Sequence, residues 1–125
     1  MRDEIIAFGV ATLIDPAIVQ NENIFELNSL VGEYSFRIKG LPGVKIRVRI
    51  WQTDTEYGGD RFTYTISHLV QTPGQADPYS TSSPFGVTEK AALEKALRDT
   101  LSFYVRAIAE GHTPSSKWFI EDPDF

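Results

Sequence analysis

Residues 33–51 read EYSFRIKGLPGVKIRVRIW, and the alternation within them decides the fold. Tyr34, Phe36 and Ile38 alternate with Glu33, Ser35, Arg37 and Lys39, while Val44, Ile46, Val48 and Ile50 alternate with Lys45, Arg47, Arg49 and Trp51. Successive side chains of a strand point to opposite faces, so the pattern predicts two half-buried strands. Gly40-Leu41-Pro42-Gly43 between them is turn chemistry. Apolar residues must face apolar residues, so the numbers of paired residues must add to an even sum. A connection centred on Pro42 satisfies this. It sets Ile38 against Ile46 and Phe36 against Val48 on one face, with Lys39 against Lys45 and Arg37 against Arg47 on the other.

Working outward, Arg61 to Val70 reads as a third strand, with Phe62, Tyr64, Ile66 and His68 on one face and Arg61, Thr63, Thr65 and Ser67 on the other. Asp54 to Asp60, with Gly58-Gly59, connects it to the second strand, and an even-sum register places Thr63 and Thr65 beside the arginines. Thr88 is an N-cap for a helix running to about Glu110, where Gly111 stops it. Its apolar stripe is Leu93, Ala96, Leu97, Thr100, Leu101, Tyr104, Val105 and Ile108, and Lys90/Glu94, Glu94/Arg98 and Lys95/Asp99 pair at i,i+4 on the solvated side. The expected fold is α+β: an antiparallel meander of three to four or more strands, with one long C-terminal helix (about 88–110) packed on its apolar face, in a single globular domain spanning 1–125. Ile5 to Ile14 is continuously apolar and reads as a buried strand in preference to a helix turn; Asp15-Pro16 reads as a helix start. Ile24, Phe25, Leu27 and Leu30 are expected to be buried. The tail aromatics Trp118, Phe119 and Phe125 should dock on this chain or another.

Composition narrows function mainly by exclusion. With 125 residues, 42% hydrophobic and 23% charged, the chain suits one globular domain with its own core. The lack of cysteine removes thiol catalysis, disulfide scaffolds and thiolate-held metals. The opening Met1-Arg2-Asp3-Glu4 is not the basic start of a secretory signal, and the apolar run after it is too short to span a bilayer, so a soluble cytoplasmic protein is expected, with no membrane partner. Glycine-rich phosphate loops, nucleophile elbows and paired metal-binding histidines are missing from the sequence, so neither cofactor nor metal is expected and the chain leans away from an enzyme. Asp54, Glu56 and Asp60 flank a glycine turn without calcium-loop spacing.

Charge placement is the unusual feature. The formal net charge is -5, yet Tyr34 to Thr53 carries five basic residues and no acidic one, leaving the rest of the chain at -10. With Arg61, the polar sheet face gathers Arg37, Lys39, Lys45, Arg47, Arg49 and Arg61 around Trp51. A polar face turned to water is ordinary for an antiparallel sheet, but like charges directly opposite one another destabilise it. Solvent, the chain's own acidic tail or an anionic partner can compensate. The expected role is therefore a non-enzymatic binding or adaptor protein, using this face to engage an acidic protein surface or a second copy of itself as a homodimer. The alternative is a single-stranded nucleic-acid module stacking bases on Trp51, which an acidic chain and a single face aromatic disfavour. A third alternative is a small enzyme with a pocket under the 71–87 loop, with His68 and Tyr79 as candidates. Ser67 and His68, as neighbours on a strand, are expected on opposite faces and so not as a nucleophile–base pair.

Overall fold

The computed structural model describes residues 22–23, 27–54 and 60–125. The readings for Ile5–Ile14, Asp15-Pro16, Ile24, Phe25 and the 55–59 connection fall outside them. Four strands, β1 (Leu27–Ile38), β2 (Leu41–Asp54), β3 (Asp60–Ile66) and β5 (Phe85–Gly86), form an antiparallel sheet in the order β1-β2-β3-β5. A helix, α1 (Glu89–Ala109), follows and packs on it, which makes the fold α+β. Two short strands, β4 (His68–Val70) and β6 (Phe119–Glu121), pair separately.

The even-sum parity holds through the second ladder and, in the first, from Gly32 to Arg37; beyond an irregularity at Val31 the first ladder turns odd, with Leu30 facing Trp51, and the even stretch differs from the expected register by two residues. Phe36 faces Ile46, Tyr34 faces Val48, Ser35 faces Arg47 and Arg37 faces Lys45. The cause lies at the turn. Chain reversal occurs at Lys39-Gly40, where Gly40 adopts φ +92, a left-handed conformation that glycine enters without the Cβ penalty. Ile38 therefore pairs with Leu41, and Pro42, Gly43 and Val44 bulge out before Lys45 meets Arg37. Lys39 is left in the turn, outside the ladder. The second ladder is as expected, with Thr65 opposite Arg49, Thr63 opposite Trp51 and Arg61 opposite Thr53.

Ile46, Val48 and Ile50 of the central strand are fully buried beneath α1. The helix turns Ala92, Ala96, Thr100, Tyr104 and Ala107 to the sheet, and the small residues at its N-terminal end let the two backbones come close. At the other end Tyr104 packs with Ile38, Val44, Trp118 and Phe119, so two of the tail aromatics complete the core of their own chain. Thr88 caps the helix, its Oγ1 accepting from the Ala91 N–H at 3.0 Å. Gly111, at φ +92, ends it in a Schellman arrangement, with His112 N–H donating to the Ala107 carbonyl and Gly111 N–H to that of Ile108. The expected stripe was too wide. Val105 and Ile108 are exposed, because at about 100° per residue they point away from the face buried by Ala92, Ala96, Thr100, Tyr104 and Ala107, and Leu30 is likewise exposed past an irregularity at Val31. Among the described residues no helix is long and apolar enough to cross a membrane.

Candidate functional site: a cationic sheet face and an adjoining cleft

The face of the sheet opposite α1 carries Arg37 on β1, Lys45, Arg47, Arg49 and Trp51 on β2, and Arg61 on β3. Arg37, Lys45, Arg47 and Arg61 are exposed, as is Lys39 at the hairpin tip, while Arg49 and Trp51 are half-buried. Each guanidinium has a specific arrangement. Arg37 stands opposite Lys45, and its Nη1 donates to the bulged Pro42 carbonyl at 2.6 Å, which turns the charge toward a main-chain oxygen. Arg49 stands opposite Glu33 and forms an ion pair with it at 2.8 Å through Nε. That hydrogen bond holds the Glu33 carboxyl below its ordinary value; desolvation opposes it, and the charges of Arg49, Arg47 and Lys45 add to it. Arg61 lies over the Phe85 ring at 4.9 Å. Trp51 lines a shallow hollow of about 380 Å³ with Asn28, Thr53, Arg61 and Thr63.

Glu33 was expected on this face and the tail was expected to dock, but neither of their contacts with the arginines was anticipated. Glu33 lies one residue outside the acid-free stretch, and only the observed register sets it against Arg49. Phe125 arrives from 76 residues away. Its ring stacks under both arginines, 4.1 Å from the Arg49 guanidinium carbon and 4.9 Å from that of Arg47, and its main-chain oxygen accepts from Arg49 Nη1 at 2.8 Å. The tail thus covers part of the basic face, but with an aromatic ring and a main-chain oxygen. Among the described residues, the ion pair on this face is Glu33–Arg49; Glu121, Asp122 and Asp124 form none with it.

A second feature sits at the far end of β3. The chain bends at Ser67, whose N–H donates to the Arg47 carbonyl and whose Oγ accepts from the Arg47 N–H at 2.8 Å. The bend ends the alternation, so the expected ten-residue third strand is split in two. It also brings Ser67 Oγ to 2.7 Å from His68 Nδ1, correcting the expectation that these side chains point apart. Ser67 is buried and held by Arg47, so it positions the imidazole and does not present a free nucleophile. Beyond the bend, a cleft of about 210 Å³ opens between β3, β4, α1 and the 79–84 segment, and His68, Tyr79, Asp99 and Asp122 line it.

The 71–84 connection forming the cleft roof is internally tied. Gln75 Oε1 accepts from the Thr72 N–H at 2.8 Å, Gln75 Nε2 donates to the Val70 carbonyl at 3.1 Å, and Tyr79 stacks on Phe103 at 4.9 Å. Inside the cleft Tyr64 Oη donates to Asp99 Oδ2 at 2.8 Å. Burial first, and then the Asp99 hydrogen bond and charge, push the Tyr64 phenol well above its ordinary value. Burial lowers His68, Glu121 opposes that shift and Arg47 adds to it. At neutral pH the cleft therefore holds a neutral imidazole and a neutral phenol, beside Asp99 and Asp122. Among the described residues no cluster of three metal-ligating side chains forms. A scan against protein-family models, a search of curated proteins and a search of solved structures each return no match to this chain.

Proposed function

We propose that this chain is a small binding protein that engages an acidic surface of a partner protein through the cationic face of its sheet. One observation carries the reading. Arg37, Lys45, Arg47, Arg49 and Arg61 are held on rigid strands on one face, with Glu33 as the ion-paired carboxylate among the described residues. A chain of formal net charge -5 that concentrates positive charge in this way has a complementary face for an acidic partner, and complementarity of this kind steers encounter and fixes orientation. Stacking of single-stranded bases is supported less well, because the aromatics on this face are already engaged: Trp51 is half-buried between its neighbours, Phe85 lies under Arg61, and Phe125 under Arg47 and Arg49.

The test is a titration with fluorescein-labelled poly-L-glutamate and, in parallel, with a labelled oligothymidylate, at about 50 mM and about 500 mM salt, the higher of which screens exposed charges within a few ångströms. Polyglutamate is expected to bind at low salt, to weaken strongly at high salt, and to lose most of its affinity in an Arg37→Glu/Lys45→Glu variant. Binding of the oligonucleotide alone would transfer the face to nucleic acid. Binding of neither would remove the reading.

A further inference from the structure

The occupant of the Arg47–Arg49 site specifies its ligand more narrowly than charge does. Asp122-Pro123-Asp124-Phe125 forms a tight turn: the Phe125 N–H donates to the Asp122 carbonyl at 3.2 Å, and Asp122 Oδ1 accepts from the Asp124 N–H at 2.9 Å. Proline in the second position and aspartate in the first are the residues that this turn favours. The Asp122 N–H is fixed to the Ser67 carbonyl at 2.9 Å, so the turn hangs from the bend and swings Phe125 onto the arginines. There the ring faces two guanidinium planes, and its main-chain oxygen takes an Arg49 N–H. Arginine stacks on aromatic faces through its planar delocalised cation, which the compact ammonium of lysine reproduces poorly.

We propose that Arg47 and Arg49 form a recognition site for an acidic turn ending in an aromatic residue, of the kind Asp-Pro-Asp-Phe, on a partner protein, and that Phe125 occupies this site in cis until the partner displaces it. The inference rests on the reading of the cationic face given above and names the chemistry that its centre accepts. A second copy of this chain fits the face less well. A two-fold contact through it would set one cationic face against an identical one, with Glu33 already paired to Arg49, and like charges brought together in this way oppose association. An acidic segment of another protein meets those cations with carboxylates while its aromatic takes the place of Phe125. Because the cis segment is tethered, it competes at a high effective concentration and lowers the apparent affinity for any partner.

The experiment uses a fluorescein-labelled peptide amide, Glu-Asp-Pro-Asp-Phe, followed by anisotropy on the intact chain and on Phe125→Ala, whose folding is checked by the near-ultraviolet signal of the buried Trp118. Phe125→Ala is expected to bind about tenfold more tightly than the intact chain, because the tethered competitor is gone. Replacing the peptide phenylalanine by alanine, or Arg49→Lys in the Phe125→Ala background, should each weaken binding about tenfold, the scale of a desolvated cation–π contact. Equal affinities for the intact chain and Phe125→Ala, or for the two peptides, would overturn the inference. If polyglutamate still binds in that case, the cationic face retains its proposed role; if it does not, both readings fall. A concentration-dependent dimer of the intact chain that Phe125→Ala abolishes would assign the site to a second copy and also overturn the proposal.

Discussion

His68 shows how one bend reassigns a residue. On a continuous strand its side chain would oppose that of Ser67, but the bend lets Ser67 Oγ hold its Nδ1 at 2.7 Å while the ring lines the cleft. Burial lowers its folded-state pKa below the ordinary 6.5, Glu121 pulling the other way and Arg47 assisting. The sign of the linkage follows directly. Above 6.5 the imidazole is neutral in both folded and unfolded chains; as pH falls the unfolded chain takes up the proton first, so stability is lost as pH falls through the folded-state value. Urea unfolding of the native chain and of His68→Gln, between about pH 7.5 and about pH 5, should therefore show a steeper acid loss in the native chain, and the slopes should converge above the histidine range. Parallel slopes across that interval would mean that burial does not perturb His68. Asp99 and Asp122, which line the cleft, and Glu121 beside it are present in both proteins, so the difference between the two slopes reads His68.

Between elements, β5 comes close to the start of α1. A Cβ placed on Gly86 would lie 2.6 Å from the Ala92 nitrogen and 2.9 Å from the Ala91 carbonyl carbon, both main-chain atoms that cannot rotate away. Gly86→Ala should thus push the edge strand off the helix and cost about 1–3 kcal/mol, the range for overpacking, read as a lowered urea midpoint. An unchanged midpoint would show that the edge strand moves without cost. This contact was not visible in the sequence, where residues 71–87 read as one long loop, whereas Thr88 and Gly111 marked the helix ends correctly because caps are local chemistry. Parity was equally local, and it placed the basic residues on one face. What stayed hidden depended on distant segments. The pairing of β4 with β6 holds the strand beyond the Ser67 bend, the bulge at Pro42–Val44 sets Glu33 against Arg49, and Phe125 reaches Arg49 across 76 residues. No periodicity within a window of ten residues carries such contacts.

Across the whole molecule, charge and shape divide the work of recognition in a way that kinetics can separate. The chain is acidic, yet one sheet face is positive, so the field seen by an approaching acidic segment changes sign over the surface. Lys45 and Arg61 are exposed, and charges so placed act mainly on encounter, within a Debye length of about 10 Å at 0.1 M salt. Arg49 is half-buried, hydrogen-bonded to Glu33 and to the Phe125 main chain, and stacked on a ring, so contacts there are desolvated and act mainly on dissociation. In the Phe125→Ala background, raising salt or making Lys45→Glu should slow association of the Glu-Asp-Pro-Asp-Phe peptide by about tenfold while leaving its dissociation rate nearly unchanged. Arg49→Lys, which keeps the charge and loses the planar stack, should do the reverse. Stopped-flow anisotropy resolves the two rates. If Arg49→Lys and Lys45→Glu changed the same rate constant to the same extent, the face would be recognising charge alone, and the aromatic seat under Arg47 and Arg49 would have no part in binding.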